Sequence, residues 1–152
     1  MTPIFTTSYE ETHPDVLAIY CSDGRFTRAV EELARQLGDS RVDAMCLPGG
    51  PGLFDIWSSS PLEARLMDDA AEFLVVGHRT RKVLLVAHEG CGFYLRRYTG
   101  LTAEARRARQ EEDVLHAAVR LRERHAGVDV LTYFATPEGS SPRVTFHEIR
   151  SR

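Results

Sequence analysis

The sequence predicts an α/β protein: a mostly parallel sheet with flanking helices, strand order beginning 2-1-3-4, and an antiparallel fifth strand at the edge. Three observations predict it. Short apolar runs alternate with segments of helical period. Glycine- and proline-rich stretches punctuate them. The last apolar run follows its predecessor after a short turn-type link, which suits antiparallel strands; parallel neighbours need a long crossover.

Residues 16–20 (Val-Leu-Ala-Ile-Tyr) read as a buried first strand. A helix over 27–37 follows, with Ala29, Val30, Leu33, Ala34 and Leu37 as its apolar stripe and Gly38 as its stop. Residues 42–47 form the second strand, broken by Pro48-Gly49-Gly50-Pro51-Gly52. Pro61 stands near the start of a helix running to about residue 78, with Ser60 as N-cap. The third strand covers 82–87. A long charged helix spans 103–126, with Val114, Leu115, Ala118 and Leu121 as a narrow apolar face. Residues 128–135 and 143–149 give the fourth and fifth strands, joined by Thr136-Pro137-Glu138-Gly139-Ser140-Ser141. Helical segments separate the first four strands, so these should be parallel.

The 152 residues suit one domain spanning 1–152, large enough to bury a core without staples. A net charge of -3 gives no reason to expect nucleic acid or a membrane surface as partner. No apolar run approaches the ~18 residues of a membrane span, and no signal peptide is read. Three cysteines are an odd number, which argues against a closed disulfide framework. A reducing, cytoplasmic setting keeps such thiols available as ligands.

Those thiols are the most informative feature. Cys21 opens Cys21-Ser22-Asp23-Gly24-Arg25 directly after the first strand, and His88-Glu89-Gly90-Cys91-Gly92 directly follows the third. In open α/β sheets, sites lie beyond the carboxyl ends of the strands, at a switch point in strand order. With strands one and three as neighbours, Cys21, His88 and Cys91 converge there. Two thiolates and one imidazole make a set for one Zn2+ per chain with a fourth position free, the mark of a catalytic rather than a structural zinc. Taken alone, Cys21 reads as an ordinary buried cysteine. A Cys21–Cys91 redox pair is a further alternative, against which His88 argues. Cys46, inside the second strand, reads as a core residue.

At these residues the chain resembles the β-class carbonic anhydrases, which carry Cys-x-Asp-x-Arg after their first strand and His-x-x-Cys after their third. The likeness covers about residues 16–149 and implies a β-carbonic anhydrase-like fold. It implies zinc on Cys21, His88 and Cys91. Asp23 would accept a hydrogen bond from the zinc-bound water, and Arg25 would pair with Asp23. It also implies a homodimer or higher homo-oligomer. The chain departs from the family pattern after the second strand, where Leu47-Pro48-Gly49-Gly50-Pro51-Gly52 replaces an Arg-Asn-Ala-Gly-Asn-like stretch. Gly24 also stands where a larger residue is usual, and the arm before Val16 is short.

The implied reaction is reversible hydration of CO2 to bicarbonate by attack of zinc-bound hydroxide. Backbone N–H groups near Gly92, at the start of a possible helix, would hold the anion. Phe26, Phe54, Trp57, Phe93 or Tyr94 would supply an apolar wall. Two other functions compete: hydrolysis of a related linear substrate such as COS or CS2, and a non-catalytic zinc protein with Asp23 locked on the metal.

Other features read more plainly. Asp23 and Arg25 could be a loop ion pair alone. His116, after Glu112 and Asp113, reads as part of a solvated helix face rather than a second metal site. His78 suits a last helical turn, and no partner is evident for His13, His125 or His147. Arg106, Arg107 and Arg109 read as pairing with Glu111, Glu112 and Asp113 on a surface helix.

Overall fold

A computed structural model describes residues 4–151. Its five strands are β1 (Val16–Tyr20), β2 (Asp43–Cys46), β3 (Lys82–His88), β4 (Asp129–Pro137) and β5 (Val144–Glu148). They form one sheet in the order β2-β1-β3-β4-β5. The first four are parallel, and β5 runs antiparallel to β4 at the edge, as the sequence predicts.

Alternation along the central strands divides the core between two faces. Leu17 and Ile19 of β1, with Val83 and Leu85 of β3, point to one side. They pack there on Met67, Ala71 and Val75 of α2 (Pro61–Gly77) and on Val114, Ala117, Ala118 and Leu121 of α4 (Ala103–Arg124). Val16, Ala18, Tyr20, Leu84 and Val86 point to the other, against Phe26, Val30 and Ala34 of α1 (Gly24–Gln36). With both faces covered, β1 is buried throughout, which explains its unbroken apolar run.

The helix ends follow local chemistry. Ser60 caps α2 in a full capping box: its side chain accepts from the Glu63 N–H while Glu63 accepts from the Ser60 N–H at 2.7 Å. The helix expected over 27–37 begins three residues earlier, at Gly24, because the Asp23 carboxylate caps it by accepting from the Arg25 N–H. A 3-10 turn (Gly50–Phe54) occupies the Gly/Pro stretch, and a short helix α3 (Gly92–Arg97) follows Cys91. Cys46 is not a core residue. It lies on the edge strand β2, where only Met45 is buried, and its thiol is exposed.

Candidate metal centre

Parallel pairing of β1 with β3 sets Tyr20 opposite Val86, so both strands end on the same side of the sheet. Cys21 leaves β1 there. His88 is the last residue of β3 itself, fixed opposite Ala135 of β4. Gly90, at φ 68°, turns the chain back, and Cys91 becomes the N-cap of α3. Cys21, His88 and Cys91 are all buried, and their candidate ligand atoms all lie within 4.8 Å of one another.

The donor set fits a tetrahedral zinc. The Cys21 and Cys91 sulfurs are 3.7 Å apart, well beyond a disulfide bond of about 2.05 Å. Two thiolates about 2.3 Å from a tetrahedral ion would sit about 3.8 Å apart. His88 Nδ1 lies 2.9 Å from the Glu89 carbonyl, to which it donates. Nε2 therefore presents its lone pair, and it is buried without a hydrogen-bond partner. The Phe26 ring packs on the imidazole, with centroids 4.2 Å apart.

The two thiols titrate as one pair. Cys21 ionises first, its pKa pulled down to about 4 chiefly by hydrogen bonding from Cys91 and also by the Gly49 and Asp23 N–H groups, against burial. The Cys91 thiol is pushed up by hydrogen bonding to Cys21, by burial and by the charge on its neighbour. Donation from the Tyr94 and Phe93 N–H groups at the start of α3 works the other way.

Asp23 stands beside this cluster in the fork of Arg25. Arg25 Nε donates to Asp23 Oδ1 at 2.9 Å and Nη2 donates to Oδ2 at 2.5 Å. This pairing holds the Asp23 carboxyl down at about 2. The Gly92 N-terminus of α3 adjoins Cys91 and is exposed. The suggested aromatic wall divides. Phe26, Phe93 and Tyr94 stand at the cluster. Phe54 lies in the core beneath α2 and α4, and Trp57 is exposed beside His116 and Val119. A cleft of about 290 Å³ opens next to Cys91, lined among others by Glu89, Tyr94, Arg107, Gln110 and Phe134.

The loop that departs from the expected pattern is part of the centre's wall. Gly49 has φ 87°, and a Cβ there would come 2.7 Å from the Phe93 ring. A Cβ on Gly52 would collide with the Tyr94 hydroxyl. Behind that hydroxyl lies a network that sequence reasoning missed. Tyr94 donates to Asp113 at 2.5 Å, and Arg109 pairs with Asp113 at 2.9 Å and with Asp55 at 3.3 Å. His116, read from sequence as solvated, bonds Asp55 at 2.6 Å. Arg109 pairs with Glu112 and Asp113, and Arg107 with Glu111, as expected, but Arg109 also reaches inward to Asp55 rather than lying wholly on a surface face. The signal was present: Asp113 falls on the buried stripe of α4 beside Val114 and Ala117, four residues after Arg109.

This arrangement is the β-carbonic anhydrase fold. Similar solved structures include the β-carbonic anhydrase CafA of Aspergillus fumigatus, 18% identical, covering 93% of this chain and 78% of that one with a TM-score of 0.55. Isoform I from Trichomonas vaginalis is 12% identical, with 93% and 87% covered and a TM-score of 0.58. Tetrameric β-carbonic anhydrases from Sordaria macrospora are also similar, at 15% identity, 89% and 81% coverage and a TM-score of 0.55. No protein-family profile and no curated protein matches the chain. No helix among the described residues is long and apolar enough to cross a membrane.

Proposed function

We propose that this protein hydrates CO2 reversibly to bicarbonate, with one zinc held by Cys21, His88 and Cys91. The observation that carries the proposal is the unpartnered Nε2 of His88, buried beside two sulfurs at zinc-like separation, with Asp23 standing by. When bound, zinc supplies a Lewis acid that makes water nucleophilic near neutral pH.

The chain's own groups do the rest. Asp23 accepts the proton of the attacking water in a hydrogen bond and so aims its oxygen at the substrate carbon. Arg25 is the positioning partner: its planar fork fixes the carboxylate and offsets a charge that would otherwise oppose ionisation of the water. The Gly92 N–H receives the developing bicarbonate oxygen, and Phe26 and Phe93 exclude water from a neutral substrate. The Arg25 fork also favours this reading over a non-catalytic one with Asp23 on the metal, because Asp23 already has a full partner.

The protein acts as a homo-oligomer in a reducing compartment such as the cytoplasm. Leu62, Leu66, Phe73 and Val76 leave an exposed apolar stripe along α2, and all three cysteines are free, which supports both points. Metal analysis of the purified protein joined to a CO2 hydration assay, with COS and CS2 as competing substrates, tests the proposal. Zinc-dependent turnover of CO2 is expected. Preference for the sulfur analogues, or bound zinc with no turnover, would overturn it.

A further inference from the structure

A second cluster of metal-ligating side chains lies at the opposite end of the sheet. His13 precedes β1, Asp43 begins β2, and His78 caps the end of α2. Their candidate ligand atoms all lie within 4.8 Å of one another. His78 Nδ1 is 2.7 Å from Asp43 Oδ2. The His13 ring stacks on the His78 ring with centroids 3.7 Å apart and planes 13° apart. Phe73 meets the His78 ring edge-on at 5.9 Å and holds its orientation.

The surroundings separate this cluster from an ordinary ion-pair network. Asp55, Asp113 and His116 also lie close together, but there the Arg109 guanidinium already sits on both carboxylates. Around Asp43 the nearby cations are engaged elsewhere. Arg41 pairs with Glu10 and donates to Thr12, and Lys82 pairs with Asp39. Among the described residues, Asp43 has no lysine or arginine partner, only His78.

We propose that His13, Asp43 and His78 form a second site for a divalent transition ion, distinct from the thiolate centre. Two imidazoles and one carboxylate suit zinc, cobalt or nickel rather than magnesium or calcium. Donors about 2.0–2.1 Å from such an ion sit closer together than 4.8 Å, and rotation of the exposed His13 ring closes the difference. The ion would tie the arm before β1, whose described residues 4–15 form no helix or strand, to β2 and α2. It thus acts as a cross-link rather than a reaction centre.

Zinc titration by calorimetry tests this, using a C21S/C91S chain to remove the thiolate centre. That chain is expected to bind one zinc, and adding H13A or D43N should weaken binding by at least about tenfold. Should C21S/C91S fail to fold, H13A in the otherwise unchanged protein should lower bound zinc from two equivalents to one. No zinc on folded C21S/C91S, or uptake unaffected by both H13A and D43N, would overturn the site. Failure of the thiolate centre is read separately. Cobalt-loaded H13A protein should keep the strong thiolate-to-cobalt absorption, and its absence would count against Cys21 and Cys91 alone.

Discussion

Tyr94 donates to Asp113 at 2.5 Å, and the Asp113 side chain is wholly buried, so the wall behind Cys91 is anchored to the middle of α4. Burial pushes both the Tyr94 hydroxyl and the Asp113 carboxyl up, and the Tyr94 hydroxyl is the donor to Asp113 Oδ2 while Arg109 pairs with Oδ1. Tyr94→Phe would leave a buried carboxylate oxygen short of a donor, at a cost of about 1–3 kcal/mol. Calorimetry should show a melting temperature lower by about 2–4 °C for each kcal/mol lost. An unchanged melting temperature would show that the bond contributes nothing.

Removing a ligand should remove metal from the thiolate centre. His88→Ala and Cys91→Ser are each expected to lose zinc from that centre in elemental analysis, along with CO2 hydration. Cys46→Ser should keep both, because that thiol is exposed and outside the cluster. Full zinc retention at the centre in His88→Ala would disprove the ligand assignment.

Asp23 and Arg25 should separate in kinetics. Asp23→Ala is expected to keep zinc and lose hydration by about 100-fold or more, as for a positioned acid–base group. Arg25→Ala should lose less, since the carboxylate remains but is no longer fixed. Full activity in Asp23→Ala would refute its role.

The capping box of α2 carries a pH signature. Hydrogen bonds from the Ser60 side chain and N–H hold the Glu63 carboxyl below its ordinary value of 4.5. A depressed carboxyl stabilises the fold above its unfolded pKa, and the contribution is lost as pH falls through the folded one. Ser60→Ala should cost about 1 kcal/mol at neutral pH, and the difference from the unchanged protein should shrink in urea melts as pH falls below the ordinary Glu value of 4.5. A pH-independent difference would show that the box is not the cause.

Strand order, the antiparallel edge and the Cys21–His88–Cys91 convergence were legible because each rests on a local pattern: apolar runs, a short turn, and motifs at strand ends. The start of α1 was misread because Gly24 and Arg25 have no apolar period, while the deciding bond comes from the Asp23 side chain. Cys46 was misread because an apolar run does not say which of its residues faces an uncovered edge. In the Tyr94–Asp113–Arg109–Asp55–His116 network the Arg109–Asp113 pair follows helical spacing, but the links to Asp55 span up to 61 residues, which no local pattern reveals.

β1 and β3 are inner strands, hydrogen-bonded on both sides, and they hold Cys21 and His88 at their ends. Amides in such strands exchange with solvent only when the whole chain opens. The candidate centre thus stands on the strands expected to exchange slowest, unlike a zinc finger, whose shape is made by its ion. Chelation should therefore empty the centre and leave the amide-exchange pattern of β1 and β3 intact, so that zinc can come and go without refolding.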